Sequence, residues 1–150
     1  MSYYAASCGS AIGMMVSTYI YANAWRWDLL PKDFDFIHEF GRGIAKIDNR
    51  KVTMVVRMIV GAIAHPMIFV FIWGRDGLLG IDPLNSSVMS ALLLLTLESA
   101  LFSIGLWRGI PVKVPDEYLK KVIVLQLILH VHLGFWMGLT YGHLTIPSLW

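Results

Sequence analysis

The sequence predicts an all-α integral membrane protein, a four-helix bundle with a short cytoplasmic amphipathic helix between helices one and two. Three observations predict it. Hydrophobic residues make up 57% of the 150 residues and charged residues only 15%, against about a quarter charged in a soluble domain. The charges are also unevenly placed. None falls between Met1 and Trp25, none between Arg57 and Arg75, only Glu98 between Asp82 and Arg108, and none from Val122 to Trp150. Finally, these runs do not alternate polar and apolar residues as barrel strands would, whereas a helix satisfies its own backbone inside lipid.

About 20 apolar residues cross the hydrocarbon core. That length places helices near 3–24, 54–74, 87–107 and 119–142 of a single domain, 1–150. The first window does not read as a cleaved leader, because it lacks a basic start and its apolar stretch runs too long. Lys and Arg set the orientation. Arg26, Lys32, Arg42, Lys46, Arg50, Lys51 and Arg57 flank the first connection, Arg108, Lys113, Lys120 and Lys121 flank the third, and Arg75 alone lies opposite. The positive-inside rule then puts 25–53 and 108–120 in the cytoplasm and both termini outside. Rings at Tyr3, Tyr4, Trp25, Trp27, Trp73, Trp107, Tyr118 and Tyr141 suit headgroup depth.

Within the first connection, Phe36, Ile37, Phe40, Ile44 and Ile47 recur at intervals of three and four, the pattern of a helix lying on a surface. Gly41 and Gly43 are expected to interrupt it. It is either a docking surface for a partner or a linker resting on its own bundle. The second connection, 74–85, reads as a compact external loop, and Asn85-Ser86-Ser87 matches a glycosylation acceptor.

Lipid supplies little hydrophobic drive between helices, so close packing must hold them. Gly9, Gly13 and Ser17 recur every four residues in the first helix, and Gly134, Gly138 and Gly142 in the fourth. The two stripes either face each other or turn toward another subunit. Arg57 and Gln126 sit near cytoplasmic ends and are expected to snorkel. Cys8, the single cysteine, reads as a packing residue and excludes an internal disulfide framework.

Ionisable groups at bilayer depth carry the functional signal. His65 is central in the second helix, Glu98 in the third, and His130 and His132 in the fourth, all at one level. An unpaired carboxylate there costs about 2.5–3.5 kcal/mol, so Glu98 is expected to face protein with a histidine as partner. His130 and His132 lie about 200° apart around the helix, so only one of them can share that site. Pro66, beside His65, removes the bond to the Ala62 carbonyl.

Three readings stay open at this point. Glu98 and a histidine form a buried hydrogen-bonded pair. One or two of His65, His130 and His132 supply axial ligands to haem b or a chlorophyll-type pigment. Or Glu98 and a histidine relay protons in a small transporter. GxGxxG, the P-loop, HExxH and GxSxG are all missing, and one intramembrane carboxylate does not make a di-iron site. No catalytic residue is therefore assigned. The expectation is a non-catalytic accessory subunit of a larger membrane complex of respiratory, photosynthetic or membrane monooxygenase type. Its partners are the lipid bilayer and other integral membrane subunits. A net charge of +2 gives no reason to expect nucleic acid.

Overall fold

The computed structural model describes residues 3–70 and 83–143, and of residues 83–87 and 143 the backbone alone. Five α-helices carry the described chain: α1 Tyr3–Asn23, α2 Phe36–Ala45, α3 Arg50–Ile68, α4 Pro83–Trp107 and α5 Asp116–His143. A 3₁₀ turn, Ala24–Trp27, closes α1. No strand occurs among the described residues. Trp73, Arg75 and most of the 74–85 connection lie outside them, as does the side chain of His143. The backbone of the Asn85-Ser86-Ser87 acceptor lies in the first turns of α4.

Three helices are long and apolar enough to cross a membrane: α3, α4 from Val88 and α5 as far as Gly142. The expectation of four such helices is therefore met by three. α1 has the length, but its 21 residues include serines, tyrosines, a threonine and an asparagine. Several of those polar positions, Ser10, Ser17 and Thr18, are buried against neighbouring helices.

The helices begin earlier than their apolar runs because polar caps extend them. Asn49 accepts from the Val52 N–H at 3.1 Å and starts α3 at Arg50, satisfying one of the donors that a helix start leaves unpaired. Pro83 opens α4, where a missing N–H costs nothing. Asp116 and Glu117 occupy the first turn of α5, which suits the positive end of its dipole.

α2 forms where the periodicity placed it, with Asp35 accepting from the N–H groups of Ile37 and His38 at 3.1 Å. It runs through Gly41 and Gly43 instead of breaking there. Gly41 lies directly against Thr53 of α3, and Gly43 against Pro111. Each glycine serves close approach, since a side chain at either has no room. The helix ends at Lys46, whose φ of 56° turns the chain left-handed. Phe36 and Ile37 are fully buried with Tyr21, Leu106, Val112 and Val122, and the Phe36 ring stacks on Tyr21 at 4.4 Å. The segment therefore rests on its own bundle through Phe36 and Ile37, while Ile44 stays exposed.

The packing order across the bundle is α3, α1, α5, α4. α1 packs on α3 and α5, and α5 also packs on α4, whereas α3 and α4 do not form a packed pair among the described residues. The two glycine stripes do not face each other. Gly9 is pressed against Trp136 and Thr140 of α5, and a Cβ at Gly13 would meet the Cα of Leu133 at 2.9 Å. Gly134 instead faces α4, where a Cβ would meet the Ala91 carbonyl oxygen at 2.9 Å. The stripes thus serve two sides of α5, within the chain. Gly138 is buried and Gly142 half-buried.

At the α2 end, Lys121 of α5 donates to the Asp28 carboxylate at 2.6 Å and to its carbonyl at 2.7 Å. This clasp fixes the connection that follows α1. The Lys121 hydrogen bond and charge hold the Asp28 carboxyl below its ordinary value.

Candidate functional site: a cleft between α3 and α4

Because α3 and α4 stand apart, a cavity of about 370 Å³ opens between them, with residues of α1, α2 and α5 completing its wall. Its lining is mainly aliphatic and aromatic, but it includes Ser17, Arg57, His65, Glu98, Gln126 and His130.

His65 and Glu98 meet across this gap, with Nε2 to Oε1 at 2.9 Å. The other ring nitrogen, Nδ1, lies 3.0 Å from the Gly61 carbonyl oxygen. A carbonyl can only accept, so Nδ1 carries a hydrogen. The Nε2–Glu98 bond then holds one proton between an imidazole and a carboxyl. The same Gly61 carbonyl accepts from Ser10 of α1 at 2.8 Å, and Tyr3 donates to the Ile63 carbonyl at 3.0 Å. α3 continues through Pro66. Gly61 permits the approach of α1, because a Cβ there would lie 2.6 Å from the Met14 side chain. The His65 side chain is 16% exposed and that of Glu98 40%, so the pair is closed toward α3 and open on the carboxylate side.

Of the two α5 histidines, His130 lines the cleft with Glu98. Its Nδ1 donates to the Gln126 carbonyl at 2.9 Å, which leaves Nε2 as a lone pair. His132 belongs to another face. Its Nε2 accepts from Trp136 Nε1 at 2.9 Å, and its Nδ1 is buried without a partner. The sequence offered His65, His130 and His132 as candidate axial ligands, one or two of them for a macrocycle, and the structure brings His65 and His130 to the cleft. An axial ligand needs a free ring nitrogen. His65 Nε2 is engaged by Glu98 and His132 Nε2 by Trp136, so His130 alone keeps one. Among the described residues, no three His, Cys, Asp or Glu side chains converge as a metal would require.

Arg57 and Gln126 are not snorkelling. Arg57 Nη2 donates to Ser17 Oγ at 3.0 Å. The guanidinium lies over the rings of Tyr21 and Phe40, at 4.9 and 5.5 Å from their centroids. Its Nη1 is buried without a partner. Gln126 is 1% exposed. Its Oε1 accepts from the Tyr21 hydroxyl at 3.5 Å, and its Nε2 is buried and unpaired. A usable signal was present. Arg57, Gly61 and His65 recur every four residues, as do Gln126, His130 and Gly134, so each set shares one helix face. The snorkelling rule assumes open water above a helix end, and here α2 folds back over that end.

Compared with known protein families, curated proteins and solved structures, the chain matches none. Fold and site together define a protein whose described elements are helical, with three membrane-length helices and a cleft lined by Arg57, His65, Glu98 and His130.

Proposed function

We propose that the chain is a non-catalytic subunit of a larger membrane assembly, crossing the bilayer four times with α1 as its fourth span. Both termini lie outside, and 25–53 and 108–120 face the cytoplasm. One observation carries this reading: Glu98 stays 40% open between two helices that do not pack on each other. At the bilayer midplane an uncovered carboxylate costs about 2.5–3.5 kcal/mol on insertion scales. A neighbouring integral membrane subunit seated along the seam removes that cost. The apolar ridges beside it, Ile63 and Met67 on α3 and Leu97 and Leu101 on α4, are all exposed and supply the contact area. The burial of Ser10, Ser17 and Thr18 supports α1 as a span, since its polar side chains then face protein.

The test is site-specific photocrosslinking in native membranes. A photoreactive residue at Leu101 should join the chain to a second polypeptide, and one at Val124, exposed on α5, should not. Crosslinking to lipid alone from both positions, together with a monomeric particle in mild detergent, would remove the reading.

The proton shared by His65 and Glu98 favours a second reading, a small proton-coupled transporter. In proteoliposomes this reading requires flux that Glu98→Gln abolishes while assembly is kept. The subunit reading expects no flux from either protein and looser assembly from the variant.

A further inference from the structure

The inner end of the cleft, near α2, has a chemistry of its own. Arg57 is a cation with no carboxylate in ion-pair contact among the described residues, and Glu98 is already engaged by His65. Arg57 lies eight residues before His65 on α3, about 12 Å along the helix. Its hydroxyl and aromatic partners, Ser17, Tyr21 and Phe40, leave the terminal nitrogen Nη1 unsatisfied. Gln126 comes from α5 onto the same Tyr21 and leaves a second orphan donor. Buried donors without partners are rare, because each gives up its bonds to water with nothing in return. Two of them converge here on residues that line an open cavity. Beyond them the lining is mainly apolar, with Val60 and Ala64 on α3, Phe102 on α4 and Leu129 and Leu133 on α5, and it is interrupted by His65, Glu98 and His130. A cation and a neutral amide donor at one end of a mainly apolar trough suit an anion that carries a hydrocarbon tail.

We infer that the α2 end of the cleft binds one amphipathic lipid-like molecule through an oxyanion headgroup. Arg57 and Gln126 hold the oxyanion, and the tail lies between α3 and α4. The oxyanion supplies both the missing counter-charge and the missing acceptors. Charge-assisted hydrogen bonds are the strong ones, so the headgroup rather than the tail sets selectivity. The headgroup is a carboxylate or a phosphate. Its hydrogen-bonding chemistry is the same in either case, and the source is separated by experiment.

The experiment is native mass spectrometry of the full chain in a neutral sugar detergent. It is titrated in parallel with oleate, with dioleoylphosphatidylglycerol, with dioleoylglycerol and with inorganic phosphate. The expected result is one oleate or one phosphatidylglycerol per chain, with the tighter of the two identifying the source. Dioleoylglycerol, which lacks an oxyanion, and phosphate, which lacks a tail, should each bind at least about tenfold more weakly. Arg57→Met should weaken the preferred lipid by about tenfold or more, and Gln126→Leu by several-fold. If Arg57→Met does not fold, Gln126→Leu and Arg57→Lys carry the comparison, because lysine keeps the charge but not the fork of donors. Dioleoylglycerol binding as tightly as oleate would overturn the inference. So would free phosphate matching the lipids, or folded variants that keep wild-type affinity.

Discussion

Two seams of the bundle are built from different materials. Between α1 and α5, glycine sets backbone against backbone: Gly9 lies on Trp136 and Thr140, and Gly13 on Leu133. Between α3 and α4, one hydrogen bond from His65 to Glu98 spans a cavity. Within its apolar stretch, 44% of α5 is buried inside the chain, against 17% of α3. α5 is therefore the axis of the bundle and α3 an outer member. Close-packed seams confer stability and tolerate little change. The polar seam adds little rigidity, but it keeps ionisable side chains reachable. Division of labour within one small chain follows from where glycine was placed and where it was not.

The largest expected effect breaks the tight seam. Gly13→Leu forces a side chain into the Leu133 backbone and should cost about 3 kcal/mol, read as a lowered melting temperature in detergent. As its counterpart in the open seam, Ala64→Leu extends into the cavity and should change stability by less than about 0.5 kcal/mol. Equal losses from the two substitutions would erase the contrast.

A middle-sized effect concerns the one link across the cleft. Glu98→Ala removes the acceptor from His65 and should cost about 0.6–1.7 kcal/mol, the range measured for polar links between membrane helices. More telling is the geometry. Spin labels at Ile63 and Leu101 should show a broader distance distribution in Glu98→Ala, whereas Glu98→Gln, which keeps an acceptor oxygen, should stay close to wild type. An unchanged distribution in Glu98→Ala would mean that something other than the pair holds α3 in place.

The smallest effect lies at the α2 end, shared by both seams. Asp28 has its carboxyl held below its ordinary value by Lys121. A group with a depressed folded value stabilises fully above its ordinary value and loses that contribution as pH falls through the depressed one. Wild type should therefore lose a small increment of stability on acidification through the lower carboxylate range, and Asp28→Asn should show none of that step. The difference between the two acid melting curves measures it. Because the pair is exposed, the step should shrink in high salt.

Much of this fold was legible in the sequence, for definite reasons. Charge-free windows mark apolar helices because lipid-crossing segments exclude charge, and α3, α4 and α5 lie where those windows lie. The spacing of Phe36, Ile37 and Phe40 disclosed α2. The need for a partner to Glu98 followed from the cost of a bare carboxylate, and the partner is a histidine. Which histidine was not legible, since the rotation and height of α3 against α4 depend on how both pack on α1 and α5. Arg57 and Gln126 were misjudged for a related reason. A residue near the end of an isolated helix reaches water, but α2 returns over that end and offers Tyr21 and Phe40 instead. The lower apolarity of α1 was masked by its freedom from charge. Hydroxyl groups carry no formal charge, yet they keep a helix from being as oily as its neighbours.

The placement of α1 has a consequence for biogenesis. Ribosomes deliver this helix before the two that cover it, since the surfaces over its serines and glycines belong to α3 and α5. The second of these begins at Asp116, more than ninety residues after α1 ends. Until α5 is made, this segment therefore waits, half-clothed, for a companion still being polymerised. Its final seating must come after α5 is synthesised, and a truncation before α5 would strand it.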